Sequence, residues 1–491
     1  MSAAETDARA SAGELALRGR LARVAGAAAH PRAIVYSASG LFALLFAAAA
    51  VVEFRAFQGQ RLDLGDMTQA VWATAHGHFL RVTASGGHEF LRLGVHVDPF
   101  LALLAPLWWI WPSPLMLLVV QVLAVGSGAL PVYWLARKRL GDERAAVGFA
   151  AAYLIYPATQ FNALTDSGPH AVSFAVPLIL FAIWFLDNDR LVPFALTALL
   201  AASTKEEIPL AVGCLGIWYA VTHGRRLVGA AIFALGLAGT LVDFLVVIPH
   251  FAPAGSGPFE HRYSAVGGSP GGIAHTLLTH PGTIAAAVAS SHKLHFLLLL
   301  LLPFAGLWLL EPLLVLGAVP DLAIDLLSSK PDQTTLGFQY TAGIVPFVVA
   351  AAVLGAARAK GRAAPTRLAA YAVALTAVFA IWHTPLRSAF HDLPGARGSS
   401  PLRQAKAHAL SLVPSGVPVT ATNQFGGYLS SRRLIYVFPS VGKARWAIVD
   451  VQDPSYSDKV AERQRLARME ASPAWHVAFA SHGVAVLRKQ R

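Results

Sequence analysis

Ionisable side chains are concentrated between Leu62 and Phe100, in a chain that is otherwise strongly apolar. A carboxylate beside a hydroxyl can take its proton as a general base, and imidazoles with carboxylates can bind a divalent cation. The stretch therefore indicates a chemical site, although a solvated or interfacial loop would have a similar composition. Its acidic and histidine candidates are Asp63, Asp66, Asp98, Glu89, His76, His78, His88 and His96.

The first two aspartates, Asp63 and Asp66, stand at the start of a segment with helical periodicity. This predicts an amphipathic helix lying on a bilayer, with Asp66 turned to water or to a cavity. Asp63 comes just before the helix, so it could cap the N-terminus instead of taking part in chemistry. The apolar face comprises Leu64, Met67, Val71, Ala75 and Phe79, and the polar face Asp66, Gln69, Ala73 and His76.

Two short motifs add candidates that could bind a metal ion or the substrate. In "HVDP", His96 and Asp98 are two residues apart on an extended segment, so both point to one side. Such a pair could hold a divalent cation, Mg or Mn, or orient a hydroxyl. In "LTDSGPH", Asp166 and His170 are candidates for the same site, although Asp166 could equally cap a helix.

The motif "STKEEIP" interrupts an apolar stretch with one lysine and two glutamates. Ionisable groups at membrane depth are costly and are candidates for function. Lys205 could bind a phosphate as a point charge, with Glu206 beside it, or the two could form an internal ion pair. Gln339 and Tyr340 begin a later helix and could face a cavity, although Tyr340 could equally be an interface aromatic.

Composition places these residues in a polytopic membrane protein. Of 491 residues, 55% are hydrophobic and 13% are charged, with a mean hydropathy of +0.53. Soluble globular chains do not have this profile. The net charge of +12 is explained by Lys and Arg in loops beside apolar helices, so we do not expect nucleic-acid binding. The single cysteine, Cys214, excludes an intramolecular disulfide.

The apolar runs predict about eleven transmembrane helices in a bacterial plasma (inner) membrane, with the N-terminus cytoplasmic. We expect a cytoplasmic tail over 1–32, a transmembrane domain over 33–385, a first outer loop over 54–113 and an extracytoplasmic domain over 386–491. The apolar segment 99–111 is short and should lie at the outer surface. The predicted spans are 33–53, 114–136, 145–163, 171–187, 191–204, 207–222, 227–249, 294–310, 312–327, 341–358 and 367–385.

This topology places most ionisable candidates on the outer side. A transporter or lipid flippase should instead carry such residues at mid-membrane and on both sides of its path. The possible exceptions on the cytoplasmic half are Asp243, Glu311, Asp321 and Asp325. The asymmetry favours chemistry at the outer face.

The C-terminal residues differ in kind from the apolar spans. "GVPVTAT", "LIYVFP" and "RWAIVDV" are typical of strands, and "SDKVAERQRLARMEAS" is typical of a helix. "WHVAFASHGVAVLRK" predicts a hairpin that turns at Ser481, His482 and Gly483. We therefore expect a small α/β domain outside the membrane.

Several of these motifs, in this order, resemble a bacterial polytopic family of unknown function that is grouped with the GT-C glycosyltransferases. They are "LDLGDMTQAVWATAHG", "HVDPFLALLAPLWWIW", "STKEEIPL" and "QYTAGIVPF". The resemblance covers most of residues 50–360. It implies a catalytic aspartate in the first outer loop, matched by Asp63 or Asp66, and a second acidic position, matched by Asp166. It also implies a lysine for a lipid phosphate, matched by Lys205. The turn 164–170 has no Asp-x-Asp, which leaves metal dependence open.

These observations favour a membrane glycosyltransferase with a polyprenyl-phosphate sugar donor. The acceptor would be a cell-envelope glycan, lipid or protein, and membrane lipids would surround the site. Asp63 or Asp66 would act as general base, and Lys205, an arginine or a divalent cation would stabilise the departing phosphate. The alternative is a transporter or flippase without transferase activity.

Overall fold

The computed structural model describes residues 30–84, 87–165, 168–252, 260–397, 400–453 and 459–490. Most of these residues are helical. The helices of ten or more residues are Pro31–Arg55, Asp66–Ala75, Pro114–Ser127, Ala129–Leu140, Glu143–Ile155, Ala175–Asp187, Leu191–Ala202, Ile208–Thr222, Arg226–Val242, Pro270–Thr279, Ser291–Leu301, Val345–Ala359, Pro365–Trp382, Leu386–Ala396, Pro401–Leu412 and Lys459–Glu470. Shorter helices are Ala105–Ile110, Pro157–Ala163, Ile248–Phe251, Pro281–Val288, Pro312–Val315, Val319–Leu327 and Asn423–Leu429.

In the described residues, four helices are long and apolar enough to cross a membrane, or five if one bent pair counts as a single span. The predicted number of about eleven is therefore not confirmed. Prolines break several predicted spans, because proline lacks an N–H and clashes with the preceding turn. Span 145–163 is interrupted before Pro157, and span 312–327 is divided between short helices that begin at Pro312 and Val319.

The helix Val345–Ala359 lies at the centre of the helical part. Its residues from Val345 to Gly355 are all buried, so no single face is preferred. This is expected for a helix that is apolar all round. It packs against the segments Ala129–Leu140, Ala175–Asp187 and Leu307–Leu310. Loops at one end of these packed helices carry the ionisable groups.

Two neighbouring helices, Ile208–Thr222 and Arg226–Val242, approach each other closely through glycines. A Cβ on Gly216 would overlap the Gly229 carbonyl oxygen, and a Cβ on Gly229 would overlap the Gly216 carbonyl oxygen. Small residues let helix backbones pack closely in membranes, where dispersion contacts replace the hydrophobic driving force. The pairing continues toward the Lys205 turn, where a Cβ on Gly236 would overlap the Pro209 carbonyl oxygen and the Thr240 hydroxyl donates to the Glu206 carbonyl at 3.1 Å.

The first loop contains a turn of π-helix, Arg61–Gly65, followed by the helix Asp66–Ala75. A hairpin of β1 (Arg81–Thr83) and β2 (Glu89–Leu91) comes next. The predicted amphipathic helix is present. Its apolar residues, such as Met67 and Val71, are buried against the segment 99–110 instead of facing lipid.

Residues 401–490, apart from those not described, form what we call the sheet domain. Its strands are β3 (Val419–Ala421), β4 (Ile435–Val437), β5 (Trp446–Asp450), β6 (Trp475–Ser481) and β7 (Val484–Lys489), in the order β4-β3-β5-β7-β6. β3 is parallel to β4 and β5, while β7 is antiparallel to β5 and β6. The predicted α/β domain and its C-terminal hairpin are therefore confirmed.

Replacing Gly216 by Ala should destabilise the protein by roughly 1–3 kcal/mol, because the added methyl group overpacks the contact between two helix backbones. Thermal unfolding in detergent would measure the loss. Gly40→Ala is the matched control, since Gly40 is also in a helix and a Cβ there meets nothing within 4 Å. The control should be neutral or slightly stabilised. Equal midpoints for both variants would contradict the packing account.

Candidate functional site

The sheet domain sits directly on the first loop, at the end of the helical part where the helix Pro31–Arg55 finishes. The Tyr428 hydroxyl donates to the Phe54 carbonyl at 2.7 Å and accepts from the Gly59 N–H at 3.2 Å. Near this contact, ionisable side chains form two neighbouring clusters. The first-loop cluster comprises Arg61, Asp63, Asp66, Arg92, Asp98 and His170, and the Lys205 cluster comprises His96, Lys205, Glu206, Glu207, Asp321 and Tyr340.

Asp63 lies within the π-helical turn and pairs with His170. The His170 Nε2 is 3.1 Å from the Asp63 Oδ1, and its Nδ1 is 3.0 Å from the Gly168 carbonyl oxygen. A carbonyl oxygen only accepts hydrogen bonds, so Nδ1 carries a hydrogen. The Nε2 faces the Asp63 carboxylate, so the buried imidazole orients that side chain.

Asp63 does not hold the capping position that was its alternative role. The residue before the helix Asp66–Ala75 is Gly65, which has no side chain to cap the helix. The chain enters the helix from a wider turn, so the Asp63 side chain points toward His170 instead. Asp63 is 27% exposed and His170 is 6% exposed, which leaves the carboxylate accessible and its partner buried.

Asp66 is held by the guanidinium of Arg61, a side chain that is almost completely buried. The Arg61 Nη2 also donates to the Gln69 Oε1 at 2.9 Å and to the Thr83 carbonyl at 3.0 Å. Burial raises the pKa of the Asp66 carboxyl, and the charges of Arg61 and Arg92 oppose this rise. Asp66 is therefore an ion-pair partner within a cross-linked loop, whereas the contact of Asp63 described above is with an imidazole.

His96 and Asp98 do not form the predicted pair. Asp98 accepts from the Arg92 Nε at 2.7 Å. The His96 Nδ1 lies 3.0 Å from the Glu206 Oε1. The two side chains therefore join different clusters, because the short helical turn Arg92–Gly94 and its neighbours bend the segment.

The alternative of a Lys205–Glu206 ion pair is not realised, because Lys205 pairs with Glu207. Glu206 instead accepts from the Val97 N–H at 3.0 Å and from His96, tying the Lys205 turn to the first loop. Both glutamates are buried. Burial alone would raise the pKa of Glu206, but the hydrogen bond and charge of His96, with help from Lys205, hold that pKa well below its usual range.

Sequence reasoning missed Asp321 as a member of this group. Asp321 and Asp325 were assigned to the cytoplasmic half, yet Asp321 lies within electrostatic reach of Lys205 and Glu207. Both aspartates are buried, and each has one carboxyl oxygen without a hydrogen-bond partner among the described residues. Two aspartates one turn apart in an apolar helix were the available signal.

Tyr340 lies between two lysines, and both Lys205 and Lys330 place their Nζ atoms 5.8 Å from its ring centroid. These are cation–π distances. The Gln339 Oε1 is buried without a hydrogen-bond partner among the described residues. The sequence-predicted cavity residues thus lie beside the Lys205 cluster, in the short turn Gln339–Thr341.

A divalent cation finds no ready ligand set in the described part of the chain. No three His, Cys, Asp or Glu side chains there come together as a metal site. His96 and Asp98 are bonded to separate partners. Asp166 lies outside the described residues, so its predicted place in the site has no structural account.

A small hollow of about 20 Å³, enough for one water molecule, lies beside the Asp63 turn. Its walls are the end of the first helix, at Glu53 and Phe54, the π-helical turn at Leu64, and the turn at Thr165 and Gly168. The wall is partly apolar and partly polar. The hollow therefore borders both the end of the first helix and the backbone turns that position Asp63 and His170.

The opposite end of the helical part carries ionisable groups that are paired with one another. Glu311 binds Arg358 at 2.6 Å and accepts from the Trp218 Nε1 at 3.1 Å. Asp187 binds both Lys138 and Arg139. These pairs satisfy buried carboxylates at helix ends, which is the structural use of such charges.

Two crystal structures of ArnT from Cupriavidus metallidurans have a similar fold. The one bound to undecaprenyl phosphate has a TM-score of 0.52 and 14% sequence identity, covering 91% of this chain and 98% of ArnT. The apo structure has a TM-score of 0.53 and 14% identity, covering 92% and 98%. At this identity the similarity establishes the fold alone. The apolar helices and the sheet domain define a membrane protein that shares the fold of ArnT.

The chain belongs to the family described as "Predicted membrane protein (DUF2079)", whose model matches residues 55–484. The resemblance drawn from the motifs is therefore confirmed. No curated protein sequence matches the chain.

Replacing Lys205 by Met should destabilise the protein by roughly 3–5 kcal/mol, because Glu207 is left buried without its partner beside other carboxylates. The melting temperature in detergent would report the loss. The double variant Lys205→Met with Glu207→Gln should recover much of it, since the orphaned charge is removed. A single variant as stable as the double variant would show that the pair carries no buried charge.

Glu206 should contribute stability that depends on pH. Its pKa is lowered from 4.5 in the folded protein, so the contribution is complete above that value and is lost as pH falls toward the folded pKa. The melting temperature of Glu206→Gln should therefore fall less than that of the wild type between about pH 5 and pH 3. Glu143→Gln is the control, because Glu143 forms a largely exposed pair with Arg137. Parallel curves for Glu206→Gln and wild type would rule out this assignment.

Proposed function

We propose that this protein is a membrane glycosyltransferase that transfers a sugar from a polyprenyl-phosphate carrier to an extracytoplasmic cell-envelope acceptor. The observation that carries the proposal is the pairing of Asp63 with His170 beside a hollow at the end of the first helix. A lipid carrier suits this place, because its tail can follow the helix in the bilayer while its head group reaches the carboxylate. The fold shared with ArnT, whose structure holds undecaprenyl phosphate, supports the same class of donor.

In this mechanism the acceptor hydroxyl attacks the sugar carbon that bears the phosphate. The new carbon–oxygen bond forms as the bond to the phosphate oxygen breaks, and polyprenyl phosphate leaves. We assign the hydroxyl proton to Asp63, because its carboxylate is partly exposed and contacts an imidazole, whereas the carboxylate of Asp66 is held by the buried Arg61 guanidinium. The His170 imidazole orients the Asp63 carboxylate for this step.

Asp66 has a different part in this proposal. Its carboxylate is bound by Arg61 and lies near Arg92, so it fixes the geometry of the loop and the position of two guanidinium groups. Arginine is well suited to phosphate because its planar fork can donate two parallel hydrogen bonds. A guanidinium near Asp66 would stabilise charge on the departing phosphate.

Lys205 remains the ammonium group that we propose for the donor phosphate, and Glu206 fixes its turn. Lys205 is paired with Glu207 and lies close to Glu206 and Asp321, so carboxyl groups outnumber the ammonium group there. An anionic phosphate could join Lys205 only by displacing Glu207. The Lys205–Tyr340 contact would then hold the ammonium in place during the exchange.

A divalent cation, Mg or Mn, stays a prediction. The described residues alone do not offer a set of ligands for it. No step of the mechanism above therefore passes through a metal ion.

The distribution of charge favours this function over a transporter or flippase. Four acidic residues were possible exceptions to the outer clustering. Asp321, Asp325 and Asp243 lie within electrostatic reach of the Lys205 cluster, and Glu311 lies among the pairs at the opposite end. A transport path should have ionisable groups along its length. We propose that the sheet domain is extracytoplasmic and that the basic end, with Arg137, Lys138 and Arg139, faces the cytoplasm of the inner membrane.

Asp63→Asn should lower turnover by about 10²–10⁴-fold, because the general base is removed without a change of shape. Asp66→Asn should lower it less. The measurement is release of undecaprenyl phosphate from a panel of undecaprenyl-phosphate sugars by purified protein in lipid nanodiscs. Glu89→Gln is the matched control in the same loop, since Glu89 forms an exposed pair with Arg433 and should change turnover little.

Three results would count against the proposal. A larger loss in Asp66→Asn than in Asp63→Asn would move the base to Asp66. Full turnover in both variants would remove the first loop from the chemistry. Wild-type protein that moves lipid-linked sugars across vesicles without releasing undecaprenyl phosphate would support the transporter instead.

A further inference from the structure

The turn that carries Asp63 receives its N-terminal cap from the sheet domain. The first N–H groups of a helical turn have no partner inside the turn, and Gln60 before it provides no side-chain cap. The Asn423 Oδ1 accepts from the backbone N–H of Arg61 at 2.9 Å and of Leu62 at 3.3 Å. A residue 362 positions later in the chain thus performs the capping that a local Ser or Asp usually performs.

Asn423 is suited to this task because both ends of its amide are engaged. Its Nδ2 donates to the Gln60 Oε1 at 3.3 Å, and the residue is only 2% exposed. A buried amide with partners on both sides has little freedom to rotate. The position of the turn Arg61–Gly65 is therefore set by the sheet domain.

A second attachment follows Asp66. The Gln69 Nε2 donates to the carbonyls of Arg432 at 2.9 Å and Arg433 at 3.0 Å, both in the sheet domain. Its Oε1 accepts from Arg61, the residue that holds Asp66. The sheet domain is thus hydrogen-bonded to the loop both before Asp63 and after Asp66.

The approach of the two parts requires glycine. A Cβ on Gly426 would overlap the Arg61 side chain, and a Cβ on Gly427 would lie 3.0 Å from the Gly59 carbonyl carbon. Both glycines belong to the helix Asn423–Leu429, which begins at the capping residue. The sequence "NQFGGY" therefore combines the cap and the clearance that brings it into contact.

We infer that the sheet domain is part of the catalytic apparatus, and that Asn423 is a positioning residue that sets the place of Asp63 for proton transfer. The inference rests on the proposed function and assigns a purpose to the C-terminal domain within it. Asn423 acts through the backbone of Arg61 and Leu62, so its loss should affect the chemical step more than donor binding. A shift of the base by about 1 Å is enough to cost about 10²-fold in rate.

The test compares Asn423→Ala, Asn423→Asp and Gln424→Ala in full-length protein. Asn423→Ala should lower kcat for undecaprenyl phosphate release by about 10–100-fold with a change in KM below about threefold. Asn423→Asp keeps an acceptor for both N–H groups and should stay within about threefold of wild type. Gln424→Ala is the control, because Gln424 is the next residue and accepts from Lys406 at 3.0 Å.

Hydrogen exchange supplies a readout that does not depend on activity. The amides of Arg61 and Leu62 should exchange faster in Asn423→Ala than in wild type and Gln424→Ala. Equal exchange, or a kcat for Asn423→Ala equal to that of Gln424→Ala, would overturn the inference. Wild-type protein without turnover would refute the proposed transferase, while faster exchange in Asn423→Ala would still support control of the turn by the sheet domain. If Asn423→Ala does not fold, Asn423→Ser decides by the same two measurements.

Discussion

The buried guanidinium of Arg61 is the interaction on which the arrangement of the site depends. It binds Asp66, Gln69 and the Thr83 carbonyl, so it joins the π-helical turn, the helix and the hairpin of the first loop. A charge buried this deeply must be paired and hydrogen-bonded to be tolerated. The loop can therefore adopt few other arrangements, and the carboxylates beside Arg61 are held in place with it.

An excess of carboxyl groups over cationic groups is the second constraint. Lys205 is paired with Glu207, while Glu206 and Asp321 lie close by, so three carboxyl groups share one ammonium group and the His96 imidazole. Such a buried imbalance costs free energy unless protons or a ligand compensate it. Stored imbalance of this kind is typical of functional sites. The bonds of Glu206 to His96 and Val97 connect this constraint to the first loop.

The sheet domain, although small, fixes the position of the first loop. It packs its own apolar core around β3 and β5, and at the same time it caps the turn that carries Asp63. Membrane helices fix the two ends of a loop, but the residues between those ends can still adopt several conformations. A folded domain that is hydrogen-bonded to the loop before and after the candidate carboxylates reduces the number of these conformations. The carboxylates are then held more precisely for catalysis.

The sequence by itself determined the class of protein, the first loop as the place of the candidate residues, and the strands and hairpin of the sheet domain. Composition and short-range periodicity carry that information. The partners of the charged residues were decided only by the tertiary structure. Asp63 meets His170, Lys205 meets Glu207 instead of Glu206, and Asn423 caps a turn far away in the chain. The first and last of these contacts join residues distant in sequence, and the choice of Glu207 over Glu206 depends on the bend of a short turn. Packing sets all three, and no local pattern encodes it.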